Sequence, residues 1–303
     1  MLANDEPQGI KGKLMNVTRK GLLSAVASGV GLLLGLHAAT AQQSSSPPSA
    51  EQIAQIVNSP DRSAADRIND QRRKPEQMLA FIGIRPGIVA LDISAGGGYT
   101  TELLARVIGP TGTVLSQNRP RDPNRVPTPP AAPEGNSNPS ATPSAAPPST
   151  PRPPPVSVAD RDKNLRSAGV QAASIVPVAR AFEDPAPPEF AERIDLATLM
   201  FNYHDLGHLA VDRTAMNRAV FRALKPGGLY VIADHSGRPG TGISESGTLH
   251  RIEEAFLRQE VEAAGFKLLD EGNFLRNPND PRDKNTPDPP QPKDEFVLKF
   301  VKP

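Results

Sequence analysis

Residue types that suit ligand binding are concentrated in one glycine-rich turn. The run Leu-Asp-Ile-Ser-Ala-Gly-Gly-Gly occupies residues 91–98, with Asp92 ahead of the turn. Glycine has no Cβ, so a turn of this kind lets the backbone approach a ligand closely. Tight packing between a strand and a helix requires the same residues, so the turn alone does not identify a function.

Histidines form a second group of candidates. Four of them follow two apolar runs, and these are His204, His208, His235 and His250. An imidazole titrates near neutral pH, so His204 beside Asp205 can act as a base with an orienting carboxylate, and His235 can hold a substrate. Packing and hydrogen bonding explain histidines at such positions equally well, and His250 suits a helix cap.

The same side chains allow a metal site as an alternative. Imidazole and carboxylate groups suit zinc or iron, and His204 and His208 have the i, i+4 spacing of one helix face. No pair of residues matches an established ligand motif, so we assign no metal ligand from the sequence. The candidates for this alternative are His204, Asp205, His208, His235 and His250.

Apolar runs and helical spacings alternate along the chain and must position these groups. Strands are predicted at 88–93, 113–115, 174–178, 194–201, 229–233, 266–269 and 296–301. Helices are predicted at 67–81, 100–107, 158–168, 210–224 and 251–264. The alternation predicts one α/β domain with a Rossmann-like, doubly wound, mostly parallel sheet and an antiparallel last strand.

Three motifs give the sequence a resemblance to the class I methyltransferases that use S-adenosylmethionine. They are the turn region at 91–100, Leu-Lys-Pro-Gly-Gly at 224–228 and Glu-Ala-Ala-Gly-Phe at 262–266. Together with the segments 99–105 and 234–236, they are similar to a little-characterised branch of predicted, often exported methyltransferases. The resemblance covers residues 66–303 apart from an insertion.

The resemblance implies S-adenosylmethionine as the cofactor and a small molecule as the methyl acceptor. Asp92 would fix the turn and the methionine end of the cofactor. Ser94 replaces a frequent glycine, and Gln117 with Asn118 stands where the family usually has an acidic residue for the ribose. The implied cofactor-binding residues are Asp92, Ser94, Ala95, Gly96, Gly98, Gln117, Asn118 and Asn202.

The acceptor pocket is expected at residues 202–205 with Asp234 and His235. His204, Asp205 and His235 are the catalytic candidates. Methyl transfer needs mainly the alignment of donor and acceptor and the exclusion of water. Two other functions stay open, namely a non-catalytic module that binds a small ligand on the same fold and a histidine-centred metal enzyme.

The N-terminal residues 1–41 predict a cleaved signal peptide. Basic residues at 19–20 precede the apolar run 21–36, and Ala-Thr-Ala at 39–41 provides the small-residue exit. Met15 is an alternative start, which would make the leader shorter. The prediction places the mature protein in the periplasm or outside the cell, with no membrane span after cleavage.

Segments outside the predicted elements are polar. Residues 42–65 predict a tether and a short helix. Residues 119–155 contain 14 prolines among 37 residues and predict a disordered insertion, which interrupts a methyltransferase-like domain at 66–303. Residues 277–295 are also polar and rich in proline, and they predict a mobile flap.

The composition excludes several classes of protein. The chain of 303 residues contains no cysteine, which excludes a disulfide framework, thiolate metal ligands and a cysteine nucleophile. A formal net charge of +1 gives no sign of a nucleic-acid surface.

Overall fold

The computed structural model of the chain describes residues 46–120, 156–285, 287 and 291–303. All of them belong to one unit, Gln43–Pro303. The predicted signal peptide and nearly all of the predicted insertion lie outside the described residues.

The described residues form a seven-stranded sheet in the order β3-β2-β1-β4-β5-β7-β6. The strands are β1 Val89–Ile93, β2 Thr113–Asn118, β3 Ser174–Ala179, β4 Ile194–Met200, β5 Leu224–His235, β6 Lys267–Gly272 and β7 Glu295–Val301. Strands β1 to β5 pair in parallel, and β7 is antiparallel to both β5 and β6. The predicted Rossmann-like α/β fold with an antiparallel last strand is therefore confirmed.

Helices cover both faces of the sheet. They are α1 Ala50–Val57, α2 Ala64–Arg73, α3 Pro75–Ile82, α4 Tyr99–Ile108, α5 Val158–Ser167, α6 Asp205–His208, α7 Arg213–Ala223 and α8 Glu254–Ala263. Helices α1, α3, α4 and α5 contribute to one core and α6, α7 and α8 to the other. Successive residues of a strand pack into the cores on opposite faces of the sheet. Ala90 packs into the core with α1, α3, α4 and α5, and Leu91 packs into the core with α6, α7 and α8. Strands buried on both faces explain the continuous apolar runs in the sequence.

The single helix predicted at 67–81 is wrong, because the segment forms two helices. Lys74 separates α2 from α3 with a left-handed backbone at φ 42° and ψ 59°. Pro75 has no N–H to donate, and its ring disfavours a right-handed helical conformation at the preceding residue. Pro75 therefore opens the first turn of α3 instead of lying inside one long helix.

The described part of the segment 277–295, which the sequence predicts to be a mobile flap, is anchored by side-chain contacts. Buried Arg251 forms an ion pair of 2.9 Å with Asp280, and the side chains are 0% and 1% exposed. The Asn277 N–H also donates to Asp294 Oδ1 over 2.8 Å. A buried, paired arginine holds this segment against the end of the sheet although its sequence is polar.

The strand order reverses between β1 and β4, and the carboxyl ends of the parallel strands meet at one edge. After β1 the chain adds β2 and β3 on one side, and β4 and β5 lie on the other. Ligands of open α/β sheets bind in the crevice at such a reversal point. The turn after β1 and the histidine segments after β4 and β5 lie on the two sides of this position.

Candidate functional site

The turn after β1 adopts a backbone that favours glycine at three positions. Ser94, Gly96 and Gly98 have φ values of 57°, 55° and 79°. A Cβ at Gly98 would lie 2.9 Å from Cδ of Arg161, so this position is closed to side chains. A Cβ at Gly96 would meet no described atom within 4 Å, and Gly96 and Gly97 are exposed. The backbone at Gly96 therefore faces open space, as close approach of a ligand requires.

Asp92 lies beneath this turn and connects three elements. Its carboxylate accepts hydrogen bonds from Thr101 Oγ1 on α4, over 2.6 Å, and from Thr198 Oγ1 on β4, over 2.8 Å. Burial raises the pKa of Asp92 to about 6, although both hydroxyls and the nearby Arg73 oppose the shift. At 1% exposure Asp92 fixes the turn from below instead of presenting its carboxylate to solvent.

The two amides at the end of β2 also hold the turn. Gln117 is buried; its Oε1 accepts from the Ser94 N–H over 3.0 Å and its Nε2 donates to Arg180 O over 2.6 Å. Its backbone oxygen accepts from the Ala95 N–H over 2.9 Å. Asn118 is half-buried, and its Oδ1 accepts from the Gly96 N–H over 2.8 Å. Of the two candidates for ribose binding, Asn118 lies nearer the surface.

Asn202 joins the turn to the histidines. The Ser94 hydroxyl donates to Asn202 Oδ1 over 2.6 Å, and Asn202 Nδ2 donates to Asp205 Oδ2 over 2.8 Å. The two stretches that the sequence singled out are thus connected through one side chain across the reversal point of the sheet.

His204 is fully buried between two carboxylates. Its Nδ1 lies 2.5 Å from Asp234 Oδ1, and its Nε2 lies 3.1 Å from Asp205 Oδ1. Burial opposes the charged ring, but the contacts with Asp234 and Asp205 outweigh it and raise the pKa of His204 to about 10. Burial likewise opposes ionisation of Asp205, yet hydrogen bonds from His204 and His250 lower its pKa to about 2. In this state the His204 imidazolium is a proton donor.

Two more histidines approach Asp205 from the solvent side. His250 Nδ1 lies 2.9 Å from Asp205 Oδ1, and His208 Nδ1 lies 3.8 Å from the same oxygen. The alternative role of His250 as a helix cap is wrong, because the N-cap of α8 is Glu253 and His250 contacts Asp205. The exposed fraction of the side chain rises from 0% at His204 to 30% at His250 and 37% at His208.

His235 is placed differently from the other three. Its side chain is buried, and its Nδ1 lies 3.0 Å from Glu295 Oε1 on β7. The ring centroids of His235 and His204 are 5.2 Å apart, but His235 faces β7 and not Asp205. Burial raises the pKa of Glu295, and an ion pair of 2.6 Å with Arg72 opposes this shift.

Two residues at this edge, Arg73 and Ser246, are not among those predicted from the sequence. Arg73 lies 4.8 Å from the Phe201 ring centroid and 5.2 Å from that of Tyr99. Burial and the neighbouring Arg72 lower the pKa of Arg73 to about 10, and its buried Nε has no hydrogen-bond partner among the described residues. Ser246 contacts His208 and the His204 carbonyl oxygen. Neither residue belongs to a recognisable motif, so no signal in the sequence identifies it.

Solved structures similar to this chain include two methyltransferases and a cyclase. A SAM-dependent methyltransferase from Aquifex aeolicus is 14% identical with a TM-score of 0.48, and the match covers 84% of this chain and 100% of that one. A TehB-like SAM-dependent methyltransferase from Corynebacterium glutamicum is 15% identical with a TM-score of 0.43, covering 79% and 99%. The [4+2]-cyclase SpnF is 15% identical with a TM-score of 0.45, covering 86% and 98%.

These likenesses concern the fold, and the reactions in their names differ. No protein-family model and no curated protein matches the chain. Within residues 46–120, 156–285, 287 and 291–303, no helix has the length and apolarity needed to cross a membrane. A fold shared with enzymes of different reactions does not determine the chemistry, which depends on the residues at the site.

Proposed function

We propose that the protein transfers the methyl group of S-adenosylmethionine to a small-molecule acceptor. The observation that carries this proposal is the turn at 94–98, whose backbone faces open space at Gly96 beside the reversal point of the sheet. In folds of this type a ligand lies at that point against the turn after the first strand.

Features on both sides of the turn fit the two ends of the cofactor. The open space at Gly96 accommodates the methionine portion, and the Arg73 guanidinium, with its buried unpartnered Nε, suits the carboxylate of that portion. Asn118, half-buried at the end of β2, suits the ribose hydroxyls. An amide binds a diol less strongly than a carboxylate does, so the affinity depends more on the turn.

The residues of this chain would contribute position and water exclusion to the reaction. When bound, the cofactor supplies an electrophilic sulfonium methyl, so the protein needs mainly to hold the acceptor in line with it. The Ser94–Asn202–Asp205 hydrogen bonds place the histidines directly beside the turn. We assign the methyl acceptor to the histidine side of the turn, where His250 and His208 are partly exposed.

We also propose that the protein acts after export. This rests on the basic residues at 19–20, the apolar run 21–36 and the small residues at 39–41. N-terminal sequencing of protein recovered from the periplasm or the medium is expected to begin at Gln42. Recovery of the intact leader in the cytoplasm would contradict export.

Calorimetric titration of S-adenosylmethionine and S-adenosylhomocysteine tests the methyltransferase proposal. Micromolar binding, about −8 kcal/mol, is expected for the purified protein and is expected to be lost in Gly96→Asp. Gly169→Asp is the matched control, because Gly169 also has a positive φ with no described atom within 4 Å of an added Cβ but lies beyond α5. A folded wild-type protein that binds neither compound would overturn the proposal.

A second measurement separates catalysis from binding alone. Labelled S-adenosylmethionine is incubated with pools of small hydroxyl and amine compounds, and transfer of the label is followed. Transfer that is lost in Gly96→Asp supports the enzyme. Tight binding without any transfer would favour the non-catalytic module on the same fold.

A further inference from the structure

We infer that His204, Asp205 and His250 form a binding site for a divalent transition-metal ion, with His208 beside it. The inference is independent of methyl transfer, because it concerns a cluster of side chains beside the cofactor turn and not the turn itself. Its ligand is a borderline ion such as zinc, which imidazole nitrogen and carboxylate oxygen both suit.

The spacing of the ligand atoms is close to that of a tetrahedral site. Zinc–nitrogen and zinc–oxygen bonds of about 2.1 Å place neighbouring ligand atoms of a tetrahedral site about 3.4 Å apart. Asp205 Oδ1 lies 3.1 Å from His204 Nε2 and 2.9 Å from His250 Nδ1. The three ligand atoms all lie within 4.8 Å of one another. Small side-chain rotations therefore suffice to surround an ion.

The contacts of His204 determine what must lie between its ring and Asp205. Asp234 is a carboxylate 2.5 Å from His204 Nδ1, so that nitrogen carries a hydrogen, and Nε2 presents a lone pair to Asp205 Oδ1 whenever the second proton of the imidazolium is absent. Two lone-pair atoms 3.1 Å apart repel each other unless a cation lies between them. That cation is either a proton or a metal ion, and a metal ion also engages His250.

Groups behind the ligands hold them in place, as in established metal sites. Asp234 fixes the tautomer of His204, which is the carboxylate–histidine arrangement common behind bound zinc. Asn202 donates to Asp205 Oδ2 over 2.8 Å and leaves Oδ1 directed at the histidines. Ser246 donates to His204 O over 2.5 Å and contacts both N and Nδ1 of His208.

Exposure gives the ion a route from solvent. His204 is buried, whereas the side chains of His250 and His208 are 30% and 37% exposed. His208 Nδ1 lies 3.8 Å from Asp205 Oδ1, farther than the other two imidazole nitrogens. Three protein ligands leave a fourth coordination position, which His208, water or an oxygen or nitrogen atom of a small molecule can fill.

Metal analysis of the purified full chain tests the inference. The protein is treated with a chelator, incubated with excess zinc, desalted and analysed for metal and protein. About one zinc per chain is expected, with an increase in Tm over the chelated protein. Asp205→Asn and His250→Ala are expected to retain less than about a tenth of that zinc. His235→Gln is the matched control and is expected to retain it, because His235 faces Glu295.

Cobalt substitution provides a test that needs no variant to fold. A cobalt(II) ion bound by imidazole and carboxylate in a four-coordinate site gives an intense visible spectrum, which zinc is expected to abolish by competition. Wild-type protein that retains neither zinc nor cobalt would overturn the inference, and so would zinc retained by folded Asp205→Asn. Neither measurement involves S-adenosylmethionine, so the metal site and methyl transfer can fail separately.

Discussion

Thr198 Oγ1 on β4 lies 2.8 Å from Oδ1 of Asp92 on β1, and this bond ties the base of the glycine turn to the neighbouring strand. Thr101 on α4 supplies the second hydroxyl to the same carboxylate. The carboxylate is nevertheless fully enclosed, and burial raises its pKa to about 6.

This raised pKa predicts how stability depends on pH. The ordinary pKa is 3.8, so the folded protein binds a proton more tightly than the unfolded chain does, and the cost of burying the charge is relieved as pH falls through 6. The free energy of unfolding of the wild type, relative to Asp92→Asn, is expected to rise by roughly 2 kcal/mol between pH 8 and pH 4. Urea unfolding at the two pH values measures it. Parallel pH profiles for the two proteins would contradict the prediction.

Two glycines of the turn are predicted to differ in their tolerance of alanine. Both have positive φ, so both variants share a backbone cost. At Gly98 the added Cβ would also lie 2.9 Å from Arg161 Cδ, whereas at Gly96 it meets nothing within 4 Å. Gly98→Ala is expected to lower the free energy of unfolding by about 1–3 kcal/mol more than Gly96→Ala does. Chemical denaturation of the two variants measures this difference. Equal losses would mean that Arg161 moves aside freely.

Arg161 is predicted to be indispensable to stability. Its Nη1 lies 2.7 Å from Asp66 on α2 and 2.6 Å from Glu102 on α4, and all three residues are buried. Arg161→Met removes the cation paired with buried Asp66, whereas Glu102 keeps its ion pair of 2.8 Å with Arg106, and a loss of about 3–5 kcal/mol in the free energy of unfolding is expected. Arg258→Ala serves as the comparison, and chemical denaturation measures both variants. Arg258 forms an exposed i, i+4 ion pair with Glu262, which is expected to contribute less than about 1 kcal/mol to the free energy of unfolding.

Asn202 is predicted to tune the proposed metal site without binding the ion. Its Nδ2 donates a hydrogen bond of 2.8 Å to Asp205 Oδ2. Removal of a group that supports a metal ligand in this way weakens metal binding about 10- to 100-fold in known sites. Asn202→Ala is therefore expected to weaken zinc binding by at least about tenfold in a competition assay with a chromophoric chelator. Ser244→Ala, which removes only an exposed bond to Thr241 O, serves as the control. An unchanged zinc affinity in Asn202→Ala would argue against Asp205 as a ligand.

Local patterns were enough to predict the sheet and the turn. A parallel strand buried on both faces is a continuous apolar run, and a turn with left-handed residues favours glycine. The strand and turn at 88–98 could therefore be predicted from these residues alone, although Ser94 also has a positive φ. The break at Lys74 was also local, since Pro75 marks it, but the helical pattern on both sides concealed it.

The α/β alternation and the position of the glycine turn follow from local sequence patterns, because hydrophobic periodicity and turn preferences act over a few residues. Which side chains meet depends on the tertiary fold. His250 reaches Asp205 over 45 positions of the chain, and Arg161 reaches Asp66 over 95. Such contacts depend on how strands order in the sheet and on which buried charges find partners. For the same reason the structure separated His235, which faces Glu295, from the histidines that converge on Asp205.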